Sequence, residues 1–260
     1  MFRRVSVALT KPLVHAQPND VCIAIDVLRA TPILAVLFDR GCSAVWLAAD
    51  ADAARGAGRA SGRLICGEQG GLPPPGFDHG NSPVEFSRLD LAGREVVFAT
   101  SNGTGTLRPC APGQHEYAGA FVNLSAVVQT ALRALDTLSA PGEEGRLLIA
   151  CAGTHDQFSI EEAACAGLMV REVLRTDPDA ALDDAAEAAH RLYESFGSPE
   201  AALQAAGNAS RLSDPGLAED VLFCAQLDIT EIVPELSVAA PGSIGSQEPR
   251  WPLSLAGATA

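Results

Sequence analysis

The chain has 260 residues, of which 47% are hydrophobic, which is enough to bury a large core in one domain or in two closely joined halves. Its 32 acidic residues against 18 Lys and Arg give a formal net charge of −14, which argues against nucleic-acid binding because phosphate contacts need clustered basic side chains. A small anionic substrate still fits if a few local Arg residues or a bound cation offset this charge.

The seven cysteines include no CxxC pair. This predicts buried free thiols in a reducing cytoplasm and argues against a zinc site. The first residues, MFRRVSVALTKPLV, lack the apolar segment and small-residue cleavage site of a secretory signal, and no apolar run is long enough to span a membrane. We therefore expect a cytoplasmic protein that binds neither nucleic acid nor membranes.

Short apolar or β-branched runs alternate with Ala-rich helical segments in the first half of the chain. Strands are predicted at residues 4–9, 21–27, 44–48, 63–67, 95–100 and 146–151. Helices are predicted between them at residues 31–41, 50–60 and 124–138. This alternation predicts an α/β fold, a layered mixed sheet with flanking helices.

From about residue 159 the pattern becomes helical, over residues 159–174, 179–196 and 198–206, with a last short strand predicted at 220–228. Residues 1–236 are predicted to form the main domain. A seam near residues 139–145 would divide it into two closely associated lobes with the site between them, although this stretch also suits a single helix-to-strand loop. Residues 237–260 are rich in Pro, Gly and Ser and are predicted to be a flexible tail.

The segment GEQGGLPPPGFDHGNSPVEF, residues 67–86, combines many Gly and Pro residues with the polar side chains of Glu68, Asp78, Asn81 and Glu85. Gly residues permit positive φ angles or close backbone approach, and the three consecutive Pro residues make a helix or a central strand unfavourable. A surface linker would also be polar, but it would rarely enclose aromatic residues such as Phe77. We interpret the segment as a rigid ligand-binding loop.

In VCIAIDVLRATP, residues 21–32, a continuously apolar strand ends at Asp26, and Arg29 and Thr31 follow at the start of a helix. The carboxyl end of a strand opens into a crevice, and the helix start and Arg29 could bind an anion there. The alternative is structural: Asp26 would cap a turn, Arg29 would be a solvated charge and Thr31 would be an N-cap.

Two further segments are ambiguous. ATSNGTGTL, residues 99–107, follows a predicted strand and could form an oxyanion cradle or a hairpin turn, and it lacks the Lys of a Walker loop. In residues 153–167, Ser159 and Glu162 have the spacing of a capping box, so the acidic pair Glu161 and Glu162 needs no catalytic explanation. Asn123 suits either a helix cap or a ligand contact.

Taken in order, DVLRAT, GEQGG, GFDHGNSPVEF, TSNGT, GAFVN and FSIEEAACAG resemble the motif series of the 2-phosphosulfolactate phosphatase (ComB) family, from about residue 20 to residue 235. The resemblance implies a Mg²⁺-dependent phosphatase that converts 2-phosphosulfolactate to sulfolactate, a step towards coenzyme M. The expected partner is a small anionic phosphorylated substrate, and a homodimer is left open. On these motifs we expect catalytic roles for Asp26, Arg29, Glu68 and Asp78, substrate contacts from Thr31, Asn81, Ser82, Thr100, Asn102, Gly103, Thr104 and Asn123, and metal ligands among Asp26, Glu68, Asp78, Glu85 and Glu161.

The sequence departs from the family pattern at Gln69, where an Arg is expected, at Ser101 for Thr and at Glu162 for Asp. The change at Gln69 bears on the substrate, because an Arg there could pair with a sulfonate or a carboxylate. Phosphatases for other small phosphorylated acids and a non-catalytic binding protein therefore stay as alternatives. Asp26 could be a nucleophile, but Leu28 stands where the haloacid-dehalogenase pattern has its second Asp, which favours a metal-binding or water-positioning role.

Overall fold

The structure is a computed structural model of the chain, and it describes residues 2–100, 110, 112–138, 144–213, 217–236 and 251–256. The described residues form ten strands: β1 Phe2–Ala8, β2 Val21–Ile25, β3 Ala44–Leu47, β4 Leu64–Gly67, β5 Glu95–Ala99, β6 His115–Gly119, β7 Glu144–Cys151, β8 Ala181–Leu182, β9 Pro234–Leu236 and β10 Trp251–Leu255. All six strands predicted from the sequence are among them.

The same residues form nine α-helices: α1 Ala30–Asp39, α2 Ala51–Ser61, α3 Pro83–Phe86, α4 Leu124–Leu138, α5 Ile160–Thr176, α6 Asp184–Phe196, α7 Pro199–Gln204, α8 Gly207–Ser213 and α9 Ala218–Cys224. Short 3-10 helices occupy Lys11–Leu13 and Phe121–Asn123. Together with the sheet they confirm the predicted mixed α/β class.

The strands follow the order β4-β5-β3-β10-β9-β6-β2-β7-β1-β8. Strands β4, β5 and β3 form a parallel group, and β6, β2, β7, β1 and β8 form a second parallel group to which β9 adds an antiparallel strand. Strand β10 pairs antiparallel with both β3 and β9 and so joins the two groups. Parallel strands need crossover connections, which the helices provide.

The core lies on both faces of the central strand β2, whose five residues are all buried between β6 and β7. Successive side chains of a strand point to opposite faces. Ile23 accordingly packs in a cluster with Val127 of α4 and Met169 of α5, whereas Ala24 packs in a cluster with Ile33 of α1. Burial on both faces explains why β2 reads as a continuous apolar run.

Several elements differ from the sequence predictions. Residues 220–228 were predicted to contain a strand, but Ala218–Cys224 is helix α9. A short apolar run suits either structure, and Glu219 and Asp220 in the first turn favour the helix through its dipole. Strand β6 was not predicted, and β8 lies inside the stretch predicted as helix 179–196.

Strand β10 lies within the stretch predicted to be a flexible tail, and its residues pair with β3 and β9. Residues 237–250 and 257–260 lie outside the described residues, and the division into a main domain and a tail stays a prediction. All seven cysteines are free and buried, as predicted. No helix in the described part of the chain is long and apolar enough to cross a membrane.

Candidate active site

The predicted site residues were expected at the carboxyl ends of strands, and five of them line one cavity of about 290 Å³. These five residues are Asp26 and Arg29 after β2, Glu68 and Asn81 after β4, and Thr100 after β5. Carboxyl ends of parallel strands share one edge of a sheet, which is where α/β proteins commonly bind ligands.

Gly67 holds the end of β4 close to β5. Its φ angle is +143°, and a Cβ atom at this position would lie 1.9 Å from the carbonyl oxygen of Ala99. The backbone N–H of Glu68 donates to the same Ala99 oxygen at 3.0 Å. Because only Gly fits here, the two strand ends can approach and bring Glu68 next to Thr100 in the cavity wall.

Asp26 is buried, and its Oδ1 accepts a hydrogen bond from the backbone N–H of Ala30 at 3.1 Å. Burial, helped by the nearby charges of Glu68 and Glu161, raises the pKa of Asp26 to about 6, although the Ala30 N–H and Lys11 oppose the shift. Thr31 is not the N-cap, because α1 begins at Ala30 and the Thr31 hydroxyl bonds the Asp26 backbone.

Two more buried carboxylates lie near Asp26 at the start of α5. Glu162 accepts a 2.6 Å hydrogen bond from the Gly153 backbone N–H, and burial followed by the charges of Asp26 and Glu161 raises its pKa well above the usual range. The predicted capping box is therefore wrong, because the Ser159 side chain does not cap α5. The Glu162 carboxylate bonds Gly153 in the loop after β7 instead. Burial also raises the pKa of Glu161. This crowding of carboxyl groups favours a bound cation or protonation.

Arg29 is not a solvated charge. Its Nη1 lies 2.5 Å from Asp220 Oδ2, its Nη2 donates to the Gly71 carbonyl at 2.9 Å, and both side chains of the ion pair are 2% exposed. Asp220 Oδ1 accepts a second hydrogen bond from the Ser82 hydroxyl at 2.6 Å. The guanidinium therefore reaches the cavity already fixed to α9 and to the loop after β4.

Asn81 is 4% exposed, and its side-chain Oδ1 has no hydrogen-bond partner among the described residues. An unpaired buried acceptor is costly, by about 1–3 kcal/mol. Because Asn81 lines the cavity, this oxygen is available to a donor or a cation there. Glu68 beside it accepts a hydrogen bond from the Gly71 N–H at 2.8 Å.

Two acidic residues of the same loop lie outside the cavity. Asp78 Oδ2 accepts from the backbone N–H of Ile65 at 2.8 Å, so Asp78 fastens the loop to the side of β4. Glu85 lies in α3, and its Oε1 is 2.7 Å from Nδ1 of His79. The structure therefore does not place Asp78 or Glu85 in this cavity, and the catalytic role of Asp78 and the metal-binding roles of both residues stay predictions.

Other predicted substrate contacts also have structural partners. The Ser82 hydroxyl caps α3 and bonds Asp220, and Ser82 does not line the cavity. Asn123 is fully buried and bonds backbone groups of Ala120, Ala118 and Ile232, which favours the helix-cap interpretation, and its substrate contact stays a prediction. Asn102, Gly103 and Thr104 lie outside the described residues.

The cavity also contains residues that sequence reasoning did not assign to it. Thr154 and His155 follow the end of β7, so the strand-end argument that found Asp26 would have found them. Asn208 and Arg211 come from α8, which carries no recognisable motif. The Asn208 amide donates to Glu161 Oε1 at 2.7 Å and to the Thr154 hydroxyl, and it thereby links α8 to the acidic cluster.

The fold and the cavity define an α/β protein with an acidic, oxygen-rich site at the carboxyl edge of its strands. A profile of the 2-phosphosulpholactate phosphatase family matches residues 8–238. The chain is 36% identical to a probable 2-phosphosulfolactate phosphatase of Deinococcus radiodurans over 219 residues, 84% of this chain and 88% of the relative. It is 32% identical to one of Gloeobacter violaceus over 241 residues, 91% and 96% of the two chains. The chain belongs to the 2-phosphosulfolactate phosphatase family and is a phosphoric monoester hydrolase.

Proposed function

We propose that this chain is a Mg²⁺-dependent phosphatase that hydrolyses the phosphate monoester of 2-phosphosulfolactate to sulfolactate and inorganic phosphate. The observation that carries the proposal is the meeting of two carboxylates, Asp26 and Glu68, with the unpartnered buried oxygen of Asn81 in one cavity. The names of the relatives supply the substrate. With that substrate, the reaction is a step towards coenzyme M.

The donor set fits Mg²⁺, although no group of three or more His, Cys, Asp or Glu side chains is arranged to hold a metal in the described part of the chain. Mg²⁺ prefers hard oxygen ligands and usually takes one or two carboxylates together with water and substrate phosphate. Asp26, Glu68 and Asn81 would supply the protein ligands. When bound, the ion would neutralise charge on the phosphoryl oxygens and orient the phosphate for in-line attack.

Asp26 is the residue best placed to position the attacking water. Burial raises its pKa to about 6, and a bound cation would lower that pKa again and hold Asp26 ionised, as a metal ligand that positions water must be. The hydrogen bond from Ala30 fixes its orientation. Arg29, fixed by Asp220 and Gly71, keeps a positive charge at the same cavity wall.

Phosphate release from 2-phosphosulfolactate should require Mg²⁺, stop in excess EDTA and return when Mg²⁺ is restored. Full turnover in excess EDTA would reject the role of the metal. Phosphate release from unrelated phosphate monoesters but not from 2-phosphosulfolactate would reject the proposed substrate.

Rapid quenching with ³²P-labelled substrate separates the two roles of Asp26. No label should remain on the protein if Asp26 positions water, and stable label on Asp26 would show that it is the nucleophile. The buried free thiols support the cytoplasm as the compartment that we propose.

A further inference from the structure

Helix α8 contributes a positively charged side chain to the cavity. Arg211 lies three residues after Asn208, so both side chains share one face of the helix, and both line the cavity with Asp26 and Glu68. Arg211 is exposed, and its one hydrogen bond to a described residue is a 3.5 Å contact from Nη1 to Asn208 Oδ1. It forms no ion pair with any described carboxylate.

The other cations near the site already have partners. Arg29 is matched by Asp220 in a fully buried pair, and Lys11 pairs with Asp156 at 3.1 Å. Arg211 is close enough to lower the pKa of Glu161 against the effect of burial, but the Glu161 carboxylate is bound by the Asn208 amide instead. Within the described residues, Arg211 is therefore the cavity-lining cation whose guanidinium is free to bind a ligand.

Asn208 places a hydrogen-bond acceptor beside the Arg211 guanidinium. Its Nδ2 is used by Glu161 and the Thr154 hydroxyl, so its Oδ1 is turned towards Arg211. A guanidinium with only this long contact at one nitrogen keeps its other N–H groups for a planar or trigonal anion, which it can bind through two parallel hydrogen bonds.

We propose that Arg211 binds the second acidic group of the substrate, a carboxylate or a sulfonate, and so selects phosphorylated acids over simple phosphate monoesters. This inference rests on the proposed phosphatase function. The phosphate would lie against Asp26, Glu68 and Asn81, and the acid group would lie against α8. An acidic cavity repels a substrate with several negative charges, and an unpaired Arg at one side offsets that repulsion.

The test compares wild type with Arg211→Gln on three related substrates: 2-phosphosulfolactate, 2-phospholactate without the sulfonate, and isopropyl phosphate without either acid group. A charged hydrogen bond is worth about 1.5–3 kcal/mol, so kcat/KM for the acid-bearing substrates should fall roughly 10- to 150-fold, mainly through KM. The value for isopropyl phosphate should change by no more than about 2-fold. A loss confined to 2-phosphosulfolactate assigns the sulfonate, and an equal loss on 2-phospholactate assigns the carboxylate.

Arg211→Lys should recover part of the loss, because it keeps the charge without the planar guanidinium. Arg191→Gln is the matched control, since Arg191 is an exposed residue of α6 that pairs with Glu187 and does not line the cavity. An equal fall on all three substrates, or no fall on any, would overturn the proposal.

Binding measurements by calorimetry keep the inference separate from the proposed function. Arg211→Gln should weaken binding of sulfolactate or lactate and leave the affinity for inorganic phosphate unchanged. If wild type hydrolyses none of the three esters, the phosphatase proposal fails, whereas the binding comparison still decides the role of Arg211. Equal affinities of wild type and Arg211→Gln for sulfolactate and for lactate would refute that role.

Discussion

Replacing Asp220 by Asn should destabilise the protein strongly, because Asp220 joins three segments that are distant in sequence. Its Oδ2 lies 2.5 Å from Arg29 Nη1, and its Oδ1 accepts from the Ser82 hydroxyl at 2.6 Å and from the Val84 backbone N–H at 3.4 Å. Asn has one acceptor oxygen and no charge. It can therefore satisfy one side of this arrangement, and Arg29 stays buried without its counter-charge.

Removing one partner of a buried ion pair costs about 3–5 kcal/mol. In a chain of this size 1 kcal/mol corresponds to about 2–4 °C in Tm, so Asp220→Asn should unfold about 6–20 °C below wild type. Thermal and urea unfolding measure the effect. The control is Glu219→Gln, because Glu219 is an exposed neighbour that lies 3.8 Å from an exposed Arg88, and such a pair contributes about 1 kcal/mol or less.

The charge itself is tested by the double variant Arg29→Met/Asp220→Leu. Removing both charges should recover much of the stability lost in Asp220→Asn, since a buried apolar pair avoids the cost of an unpaired charge. The reasoning is refuted if Asp220→Asn melts within about 2 °C of Glu219→Gln, a difference of about 1 kcal/mol or less. A double variant no more stable than Asp220→Asn would show that packing, not charge, explains the loss.

Three further predictions concern Gly67 at the end of β4, the pH dependence of stability set by Glu116, and Arg29. Gly67→Ala should destabilise the protein and impair phosphate release, because its Cβ would meet the Ala99 carbonyl oxygen; wild-type stability and turnover in this variant would contradict that contact. Burial raises the pKa of Glu116, whose two carboxylate oxygens have no partner among the described residues, so the folded state keeps a proton that the unfolded state releases above pH ~4.5. Wild type should therefore lose stability relative to Glu116→Gln by up to about 1.4 kcal/mol per pH unit as pH rises from the unfolded towards the folded pKa. Urea unfolding of both proteins at pH 5, 6 and 7 measures this difference, and a difference that stays constant with pH would contradict the prediction. Arg29→Lys should lower both stability and kcat/KM, since an ammonium group cannot bond Asp220 and the Gly71 carbonyl in the same geometry; unchanged kinetics would show that the guanidinium is not needed.

The strand-end argument located part of the site from sequence alone. Asp26, Glu68 and Thr100 each follow a β-strand whose apolar pattern is clear, and parallel strands bring such positions together. Asp78 and Glu85 belong to the same polar segment as Glu68 and Asn81 but do not line the cavity. Within an irregular loop, sequence does not show which carboxylates bond the backbone or a neighbouring His and which face a cavity.

The residues that the helical second half of the chain contributes to the site could not be predicted from strand ends. Arg211 and Asp220 lie on short helices without a motif, and they reach the site through tertiary packing over more than a hundred positions of sequence. The stretch 220–228 was even assigned to a strand, because short apolar runs do not distinguish strand from helix. Glu162 was misassigned for a related reason: its spacing from Ser159 fits a capping box, but its carboxylate bonds the Gly153 N–H instead.

The most direct test of the account measures kcat/KM for 2-phosphosulfolactate in saturating Mg²⁺ for wild type and Asp26→Asn. The account predicts Mg²⁺-dependent phosphate release by wild type and a fall of roughly 100-fold or more in the variant, the scale expected for a group that positions or deprotonates the nucleophile. Asp26→Asn should fold normally, because the two side chains are nearly the same size. Near-normal turnover by a folded Asp26→Asn protein, or wild-type turnover that is indifferent to Mg²⁺, would contradict it.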